Sequence, residues 1–214
     1  MNKQFFLFGV LSLIMFVFPV FPGCAQSPDA EIDRRVQEFL NSPGRGYANV
    51  PTSDGKLLHE IILKNNYKSA LEIGTSTGVS GIWIALALSK TGGKLITIDI
   101  DETRHKQALE NFERAGLSDY IDARLADAHE LVPALEGPFD FIFSDADKYW
   151  YQNYFEAVDP KLVVKGCYTT HNVSDQGGGQ NSGYLNFLKQ LPNYETTVNN
   201  NGSGMAISYK KSEK

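Results

Sequence analysis

The chain has 214 residues, 42% of them hydrophobic, a composition that suits a globular protein with a full-sized core. Its formal net charge is −5, and no stripe of basic residues follows any predicted element. These features argue against a nucleic-acid-binding surface, and we expect no nucleic-acid partner.

The first residues differ from the rest of the chain and predict a signal peptide over 1–24. Lys3 precedes an apolar segment of about 14 residues, and small residues follow at Gly23, Cys24 and Ala25. The segment is short for a transmembrane helix, which needs about 20 apolar residues. Lipidation of Cys24, which would tether the chain to a membrane, and simple cleavage near Ala25 both stay open, and an uncleaved N-terminal anchor ranks third. The predicted location is therefore the periplasm or a membrane-tethered lipoprotein, with a cytoplasmic face as the alternative.

Residues 25–48 are predicted to form an N-terminal helix and a linker. The helix follows from apolar residues that recur at helical spacing, namely Ile32, Val36, Phe39 and Leu40. A second helix, capped by Thr52 or Ser53, would bury Leu58 and Ile62.

Strand patterns then alternate with helix patterns, which predicts an α/β fold with a mostly parallel sheet. The seven strand segments are 70–73, 94–99, 120–125, 139–144, 162–170, 194–198 and 205–209, the last two forming an antiparallel hairpin.

The segment 71–81 carries the clearest functional pattern. It is typical of a strand, a turn with Gly74 and Gly78, and a buried helix, an arrangement whose free amides favour an anionic group. A tight turn that binds nothing is the alternative. Asp99 ends the next strand about 25 residues after Gly74, where nucleotide-binding α/β folds hold ribose hydroxyls.

Further polar residues fall where predicted strands end. Because the carboxyl ends of parallel strands meet at one edge of a sheet, we expect these side chains to converge on one site. They are Glu72, Asp99, Asp127, Asp145, His171 and Asn172. Cys167 lies in a strand pattern and is expected to be a buried, unpaired residue, with pairing to Cys24 as the weaker alternative.

Three segments, 71–81, 98–101 and 139–148, together resemble the cation-dependent O-methyltransferases, which include catechol and caffeoyl-coenzyme A O-methyltransferases and use S-adenosylmethionine. The resemblance implies a Rossmann-like class I methyltransferase fold, with residues 49–214 as the methyltransferase domain. It implies methyl transfer to a hydroxyl of a small, catechol-like acceptor, and relatives of this kind are often homodimers.

The resemblance also implies roles for particular residues. Lys148 would be the general base. His171, where the sequence departs from the family, is a further candidate for a catalytic role from its own chemistry. A divalent metal such as Mn²⁺ or Mg²⁺ would be held by Asp145, His171 and Asn172. The cofactor-binding residues would be Val50, Glu72, Gly74, Thr75, Gly78, Ser80, Asp99, Asp127, Ala128 and Asp145.

The sequence departs from the family pattern at His171, where the family has an aspartate before its asparagine. An imidazole carries one negative charge fewer than a carboxylate and favours Mn²⁺, Fe²⁺, Co²⁺ or Zn²⁺ over Mg²⁺. Two other interpretations stay open: His171 is a base, or it packs with its nitrogens satisfied and binds no metal.

Two other functions are weighed against methyl transfer. S-adenosylmethionine is made in the cytosol, so an exported enzyme would need a supply of it outside. The alternative is therefore an exported, catalytically weakened α/β binding protein that keeps the S-adenosyl pocket. A dinucleotide-dependent oxidoreductase is disfavoured, because the loop at Gly74 lacks the Gly-x-Gly-x-x-Gly pattern.

Overall fold

The computed structural model describes residues 27–43, 49–173, 182–201 and 204–213. The predicted signal peptide, its Cys24 and the possible Cys24–Cys167 pair lie outside these residues. Cys167 itself is a buried free cysteine. Within the described ranges, no helix combines the length and the apolar character that crossing a membrane requires.

The predicted order of elements is confirmed. The helices are α1 Pro28–Asn41, α2 Thr52–Asn65, α3 Val79–Thr91, α4 Glu102–Ala115, α5 Ala128–Ala134, α6 Tyr151–Val158 and α7 Ser182–Gln190. The strands are β1 Ser69–Ile73, β2 Lys94–Asp99, β3 Ile121–Leu125, β4 Phe139–Ser144, β5 Leu162–His171, β6 Tyr194–Asn199 and β7 Met205–Lys210.

The seven strands form one sheet in the order β3-β2-β1-β4-β5-β7-β6. The first five strands of this order run parallel, and β7 and β6 are antiparallel to their neighbours. This confirms the mostly parallel sheet with a C-terminal hairpin. The strand order reverses between β1 and β4, and at such a switch point an open α/β sheet binds its ligands.

Two apolar cores lie on opposite faces of the sheet. One contains buried residues of α1 to α4, and the other contains those of α5, α6 and α7. The sequence therefore folds as three layers, because parallel strands are buried on both faces and need helices over each.

Helix α3 is buried almost all round, which explains its unbroken apolar sequence. Trp83 of α3 packs against α2, where a Cβ at Gly55 would overlap its ring. The apolar residues of α3, which would otherwise offer a surface for a homodimer, are thus covered by the chain's own helices. Glycine at position 55 lets α2 lie close enough to α3 to fix the first turn of α2 beside the sheet.

The prediction that Thr52 or Ser53 caps α2 is wrong. Pro51 occupies the cap position, and Thr52 and Ser53 already belong to the helix. The proline ring fixes φ near −65°, and Pro51 has a φ of −55° that leads directly into the first turn. Strand β5 is one residue longer than predicted, so His171 is its last residue.

Candidate active site

A cavity of about 490 Å³ lies at the carboxyl ends of the parallel strands. Its lining joins residues of the β1, β2, β4 and β5 ends with the segment before α2. Nine of the predicted site residues line it: Val50, Gly74, Ser80, Asp99, Asp127, Ala128, Asp145, His171 and Asn172. The predicted convergence of polar strand ends on one site is present in the structure.

The loop after β1 has the backbone that its glycines allow. Gly74 has a φ of +103°, and a Cβ there would lie 2.7 Å from the backbone oxygen of Asp145. Gly78 has a φ of +87° and caps α3, with Phe112 against its Cα. Both positions therefore require glycine, one for close contact between β1 and β4 and the other for the turn into α3.

Asp99 is held by backbone amides at the edge of the cavity. Its Oδ2 accepts a hydrogen bond from the amide of Ser76 at 2.6 Å, and its Oδ1 accepts one from the amide of Asp101 at 2.9 Å. These bonds fix the carboxylate where the β1 and β2 loops meet. Its oxygens keep further lone pairs that can accept hydrogen bonds from ligand hydroxyls.

Asp127 and Ala128 begin α5 on the same side of the cavity. The Asp127 side chain caps the helix by accepting a hydrogen bond from the His129 amide at 2.9 Å. This leaves the first turn of α5 facing the cavity, with His129 and Ala128 in its lining.

Glu72 lies beneath the cavity and does not line it. The Thr97 hydroxyl donates to Glu72 Oε2 at 2.5 Å, and Thr75 lies 2.6 Å from the same Thr97 hydroxyl. Burial raises the pKa of Glu72 to about 8, although hydrogen bonds from Ser80 and Thr97 oppose the shift. Glu72 Oε1 has no hydrogen-bond partner among the described residues. Thr75, also predicted to bind cofactor, supports the loop from below.

On the opposite side of the cavity, His171 lies between two carboxylates. Its Nδ1 is 3.0 Å from Asp145 Oδ2, and its Nε2 is 2.8 Å from Asp54 Oδ2. The Asn172 amide donates to Asp145 Oδ1 at 2.7 Å. Asp54 and His171 are buried, with side chains 3% and 4% exposed.

Burial alone would lower the pKa of His171, but the hydrogen bonds and charges of Asp145 and Asp54 outweigh it, so that the pKa is raised. Both ring nitrogens contact carboxylates of the chain itself, which favours a positioning role for His171.

Asp54 is a residue of this site that the sequence analysis missed. A signal was present, because Asp54 precedes Leu58 and Ile61 by four and seven residues and therefore lies on the buried face of α2. A carboxylate on an apolar helix face indicates a buried partner.

The aromatic residues near the cavity differ in their surroundings. Trp150 stacks on His129 with ring centroids 4.0 Å apart, and Tyr154, which lines the cavity, stacks on His129 at 5.7 Å. Tyr151 is fully buried and donates to the backbone oxygen of His171 at 3.1 Å. Tyr149 is exposed.

Lys148, the predicted general base, is exposed and does not line the cavity. It directly follows Asp147, which does line the cavity and, as expected, caps the turn by accepting from the Tyr149 amide at 3.0 Å.

The comparisons with known proteins agree with this architecture. A family model described as O-methyltransferase matches residues 29–177. The chain belongs to the O-methyltransferase family. This confirms the resemblance drawn from the three sequence segments, and the match also includes α1.

Relatives of this O-methyltransferase have names of the expected kind. A catechol O-methyltransferase of Niastella koreensis is 39% identical over 121 residues, which cover 55% of this chain and 54% of that protein. A caffeoyl-CoA O-methyltransferase of Eucalyptus globulus is 36% identical, covering 53% of this chain and 48% of that protein. The chain thus spans about half the length of these relatives.

Solved structures show the same fold. An O-methyltransferase from Bacillus cereus, in complex with S-adenosylhomocysteine, has a TM-score of 0.70 and 27% identity. The match covers 85% of this chain and 91% of that one. The Rossmann-like fold inferred from the resemblance is thereby confirmed.

The predicted metal ligands Asp145, His171 and Asn172 lie together and contact one another. His171 Nδ1 is 3.0 Å from Asp145 Oδ2, and the amide nitrogen of Asn172 donates to Asp145 Oδ1 at 2.7 Å. Within the described ranges, no group of three or more acidic, histidine or cysteine side chains could hold a metal ion. The function below is therefore derived without a step through a metal.

Proposed function

We propose that this chain catalyses S-adenosylmethionine-dependent methyl transfer to a hydroxyl of a small aromatic acceptor. The observation that carries the proposal is a single cavity that joins the glycine loop at Gly74 and the fixed carboxylate of Asp99 to the Asp145–His171 side. The first two features suit a nucleoside, and the third leaves a polar wall for an acceptor.

The residues of the cavity fit an S-adenosyl ligand. Asp99 is fixed where its free lone pairs can accept from the ribose hydroxyls, and Asp127 with Ala128 would flank the adenine. Ser80 at the first turn of α3 would hold the methionine carboxylate, since free amides at a helix start favour an anion. The Bacillus cereus relative, solved with S-adenosylhomocysteine, supports this class of ligand.

When bound, the cofactor supplies a methyl group already activated by a sulfonium. The chain must hold the acceptor oxygen in line with that methyl group and help its proton to leave. A phenol with a pKa of about 10 costs roughly 4 kcal/mol to ionise at pH 7. We assign the acceptance of this proton to Lys148, which follows the cavity residues Asp145 and Asp147. The new bond joins acceptor oxygen to methyl carbon as the carbon–sulfur bond breaks.

An aromatic acceptor is favoured by the ring of Tyr154, which lines the cavity, because aromatic faces bind flat rings well. The names of the Niastella and Eucalyptus relatives support the same class.

The test is a turnover assay with S-adenosylmethionine and catechol, in which S-adenosylhomocysteine and methylated catechol are measured by mass spectrometry. We expect equal amounts of both products. Lys148→Met should lower kcat by about 100-fold, while Lys106→Met, an exposed lysine on α4, should leave it unchanged. Binding of S-adenosylhomocysteine without turnover on any catechol would contradict methyl transfer and favour the exported binding protein.

We also propose that residues 1–24 direct export. The mass of the mature chain expressed in a bacterium with an outer membrane should correspond to an N-terminus near Ala25 or to a lipid-modified Cys24. A chain that keeps Met1 in the cytoplasm would contradict export.

A further inference from the structure

The amino ends of the parallel strands carry an exposed surface that the proposed reaction does not use. It joins the last turn of α2, the residue before β1, the first residue of β2 and the first half of β5. Its basic side chains are exposed and are those of Lys64, Lys68, Lys94 and Lys165. Asp140 lies beside Lys68, but its Oδ2 already accepts hydrogen bonds from the amides of Lys68 and Ser69 at 2.7 and 3.0 Å.

Hydrogen bonds to the backbone hold these segments together. The amide of Lys94 donates to the backbone oxygen of Lys68 at 2.7 Å. The hydroxyl of Tyr67, a buried residue, donates to the backbone oxygen of Lys165 at 2.6 Å. The lysines therefore lie at one end of the fold, where their positive charges act on the same surface.

Two apolar residues are exposed directly beside these lysines. Leu63, next to Lys64, is 39% exposed, and Val164, next to Lys165, is 38% exposed. Apolar side chains among lysines suit a lipid surface, because the apolar groups enter the headgroup region while the lysines attract anionic lipid. We refer to these residues together as the lysine face: Leu63, Lys64, Lys68, Lys94, Val164 and Lys165.

Strand β5 bulges where it contributes to the lysine face. Phe139 of β4 pairs with Leu162, but Phe141 already pairs with Cys167, so the residues between leave the regular pairing with β4. Lys165 in this bulge has a φ of +70°, a left-handed conformation that non-glycine residues seldom adopt. Backbone strain of this kind persists only where the surrounding structure imposes it, and it is concentrated at functional positions.

The first turns of α1 lie at the same end of the fold. Lys90, in the last turn of α3, pairs with Asp33 at 2.9 Å and donates to the backbone oxygen of Asp29 at 3.1 Å. Because α3 ends just before β2 begins, this turn lies at the amino ends of the strands. Cys24 precedes Ser27 by three residues, a span of at most about 11 Å. An anchor at Cys24 would therefore hold this end of the fold close to the bilayer.

We propose that the lysine face lies on an anionic phospholipid surface, so that the cavity at the opposite, carboxyl end of the strands opens away from the membrane. The acceptor is then taken from water and not from the bilayer. Asp99 and Asp127 line the cavity, and an anionic surface repels that end of the molecule. The inference rests on the proposed export only for the anchor, and on the proposed methyl transfer only for the source of the acceptor.

The first experiment compares binding of the full chain to sedimented vesicles of phosphatidylcholine alone and of phosphatidylcholine with an equal amount of phosphatidylglycerol. Residues 1–24 are present in both cases, so the ratio of the two partition coefficients reports the preference for anionic lipid. We expect a ratio of at least about 10 for the wild type. The double variant Lys68→Gln, Lys94→Gln should lose most of this preference, since each lysine near an anionic surface strengthens binding roughly fivefold.

The matched control is the double variant Lys56→Gln, Lys106→Gln. It removes the same charge from two exposed lysines, one in the first turn of α2 and the other on α4, and it should leave the ratio unchanged. An equal fall of the ratio in both double variants, or a wild type without preference for phosphatidylglycerol, would overturn the proposal.

A second experiment measures the orientation with a fluorescent label at Val164→Cys or at Lys106→Cys, with the unsubstituted chain as background for Cys24. Phosphatidylglycerol vesicles should shield the label at position 164 from quenching by iodide and leave the label at position 106 exposed. Equal shielding at both positions would contradict the orientation. Shielding at position 164 without vesicles would show that another copy of the chain covers the face, which would also overturn the proposal.

The proposals fail separately. A chain that keeps Met1 in the cytoplasm contradicts export, and the absence of turnover contradicts methyl transfer, but neither result changes the preference for anionic vesicles. Loss of that preference contradicts the lysine face alone.

Discussion

The two sides of the cavity are built in different ways. On the side of β1, β2 and β3, the carboxylates are fixed by backbone amides of the strand-end loops: Asp99 by those of Ser76 and Asp101, and Asp127 by that of His129. On the side of β4 and β5, side chains fix one another across the fold, and Asp54 and His171 are 117 residues apart.

This difference has a physical consequence. A carboxylate held by local amides keeps its place as long as its loop folds, so that a short motif specifies it. A carboxylate held by a distant side chain depends on the packing of α2 on α3 at Gly55 and Trp83. We therefore expect substitutions that alter the backbone to disturb the first side most, and substitutions that remove a charge to disturb the second side most.

The largest effect is expected for Gly74→Ala. The added Cβ would lie 2.7 Å from the Asp145 backbone oxygen at a φ of +103°, so β1 and β4 must separate where the two sides of the cavity meet. We expect the affinity for S-adenosylhomocysteine, measured by calorimetry, to fall by at least about 100-fold.

Gly92→Ala is the matched control, because Gly92 has a φ of +76° but a Cβ added there would meet nothing within 4 Å. It should cost about 1–2 kcal/mol of unfolding free energy and leave the affinity unchanged. Equal affinities for the two variants would contradict the role given to the contact between Gly74 and Asp145.

Asp54→Asn is expected to have the next largest effect. It leaves the buried His171 ring with one carboxylate instead of two, and we expect the free energy of unfolding in urea to fall by about 3 kcal/mol. Asp122→Asn also removes an ion-paired aspartate, but Asp122 pairs with Arg124 on the surface at 2.7 Å. It should change stability by less than about 1 kcal/mol. If both variants lost a similar amount of unfolding free energy, the expectation that the buried Asp54–His171 pair stabilises the fold more than a surface pair would be contradicted.

A smaller, pH-dependent effect is expected for Glu72. Its pKa is about 8 in the folded chain against an ordinary value of 4.5, so the folded state binds more protons than the unfolded state between these values. The stability of the ligand-free chain should therefore fall as pH rises, by roughly 1 kcal/mol per pH unit between about pH 5 and about pH 8. Glu72→Gln, which carries no charge, should flatten this part of the profile; parallel profiles for the two proteins would rule out the raised pKa.

The sequence predicted the side of the cavity that depends on local structure. Alternating strand and helix patterns predicted the sheet, and the glycines at 74 and 78 together with Asp99 predicted the loop beside the cavity. Each of these features leaves a signal in a short stretch of sequence, a repeated pattern, a glycine or an acid at a strand end. The cap of α2 was the local error, because proline at position 51 takes the place expected for a hydroxyl side chain.

The other side could be predicted only in part. The residues Asp145, His171 and Asn172 were placed together because parallel strands end at one edge. Their hydrogen-bond partners were not predicted, since Asp54 reaches His171 only through the packing of two helices. The role of His171 therefore stays open between metal ligand, base and packed residue in the sequence.

The central claim is that the cavity binds an S-adenosyl ligand through its fixed carboxylate. It is tested most directly by titrating S-adenosylhomocysteine into the wild type and into Asp99→Asn by calorimetry. We expect micromolar affinity for the wild type and a loss of at least about tenfold for the variant, since two ribose hydroxyls lose a charged acceptor. No binding to a folded wild-type sample, or equal binding to both proteins, would contradict the account.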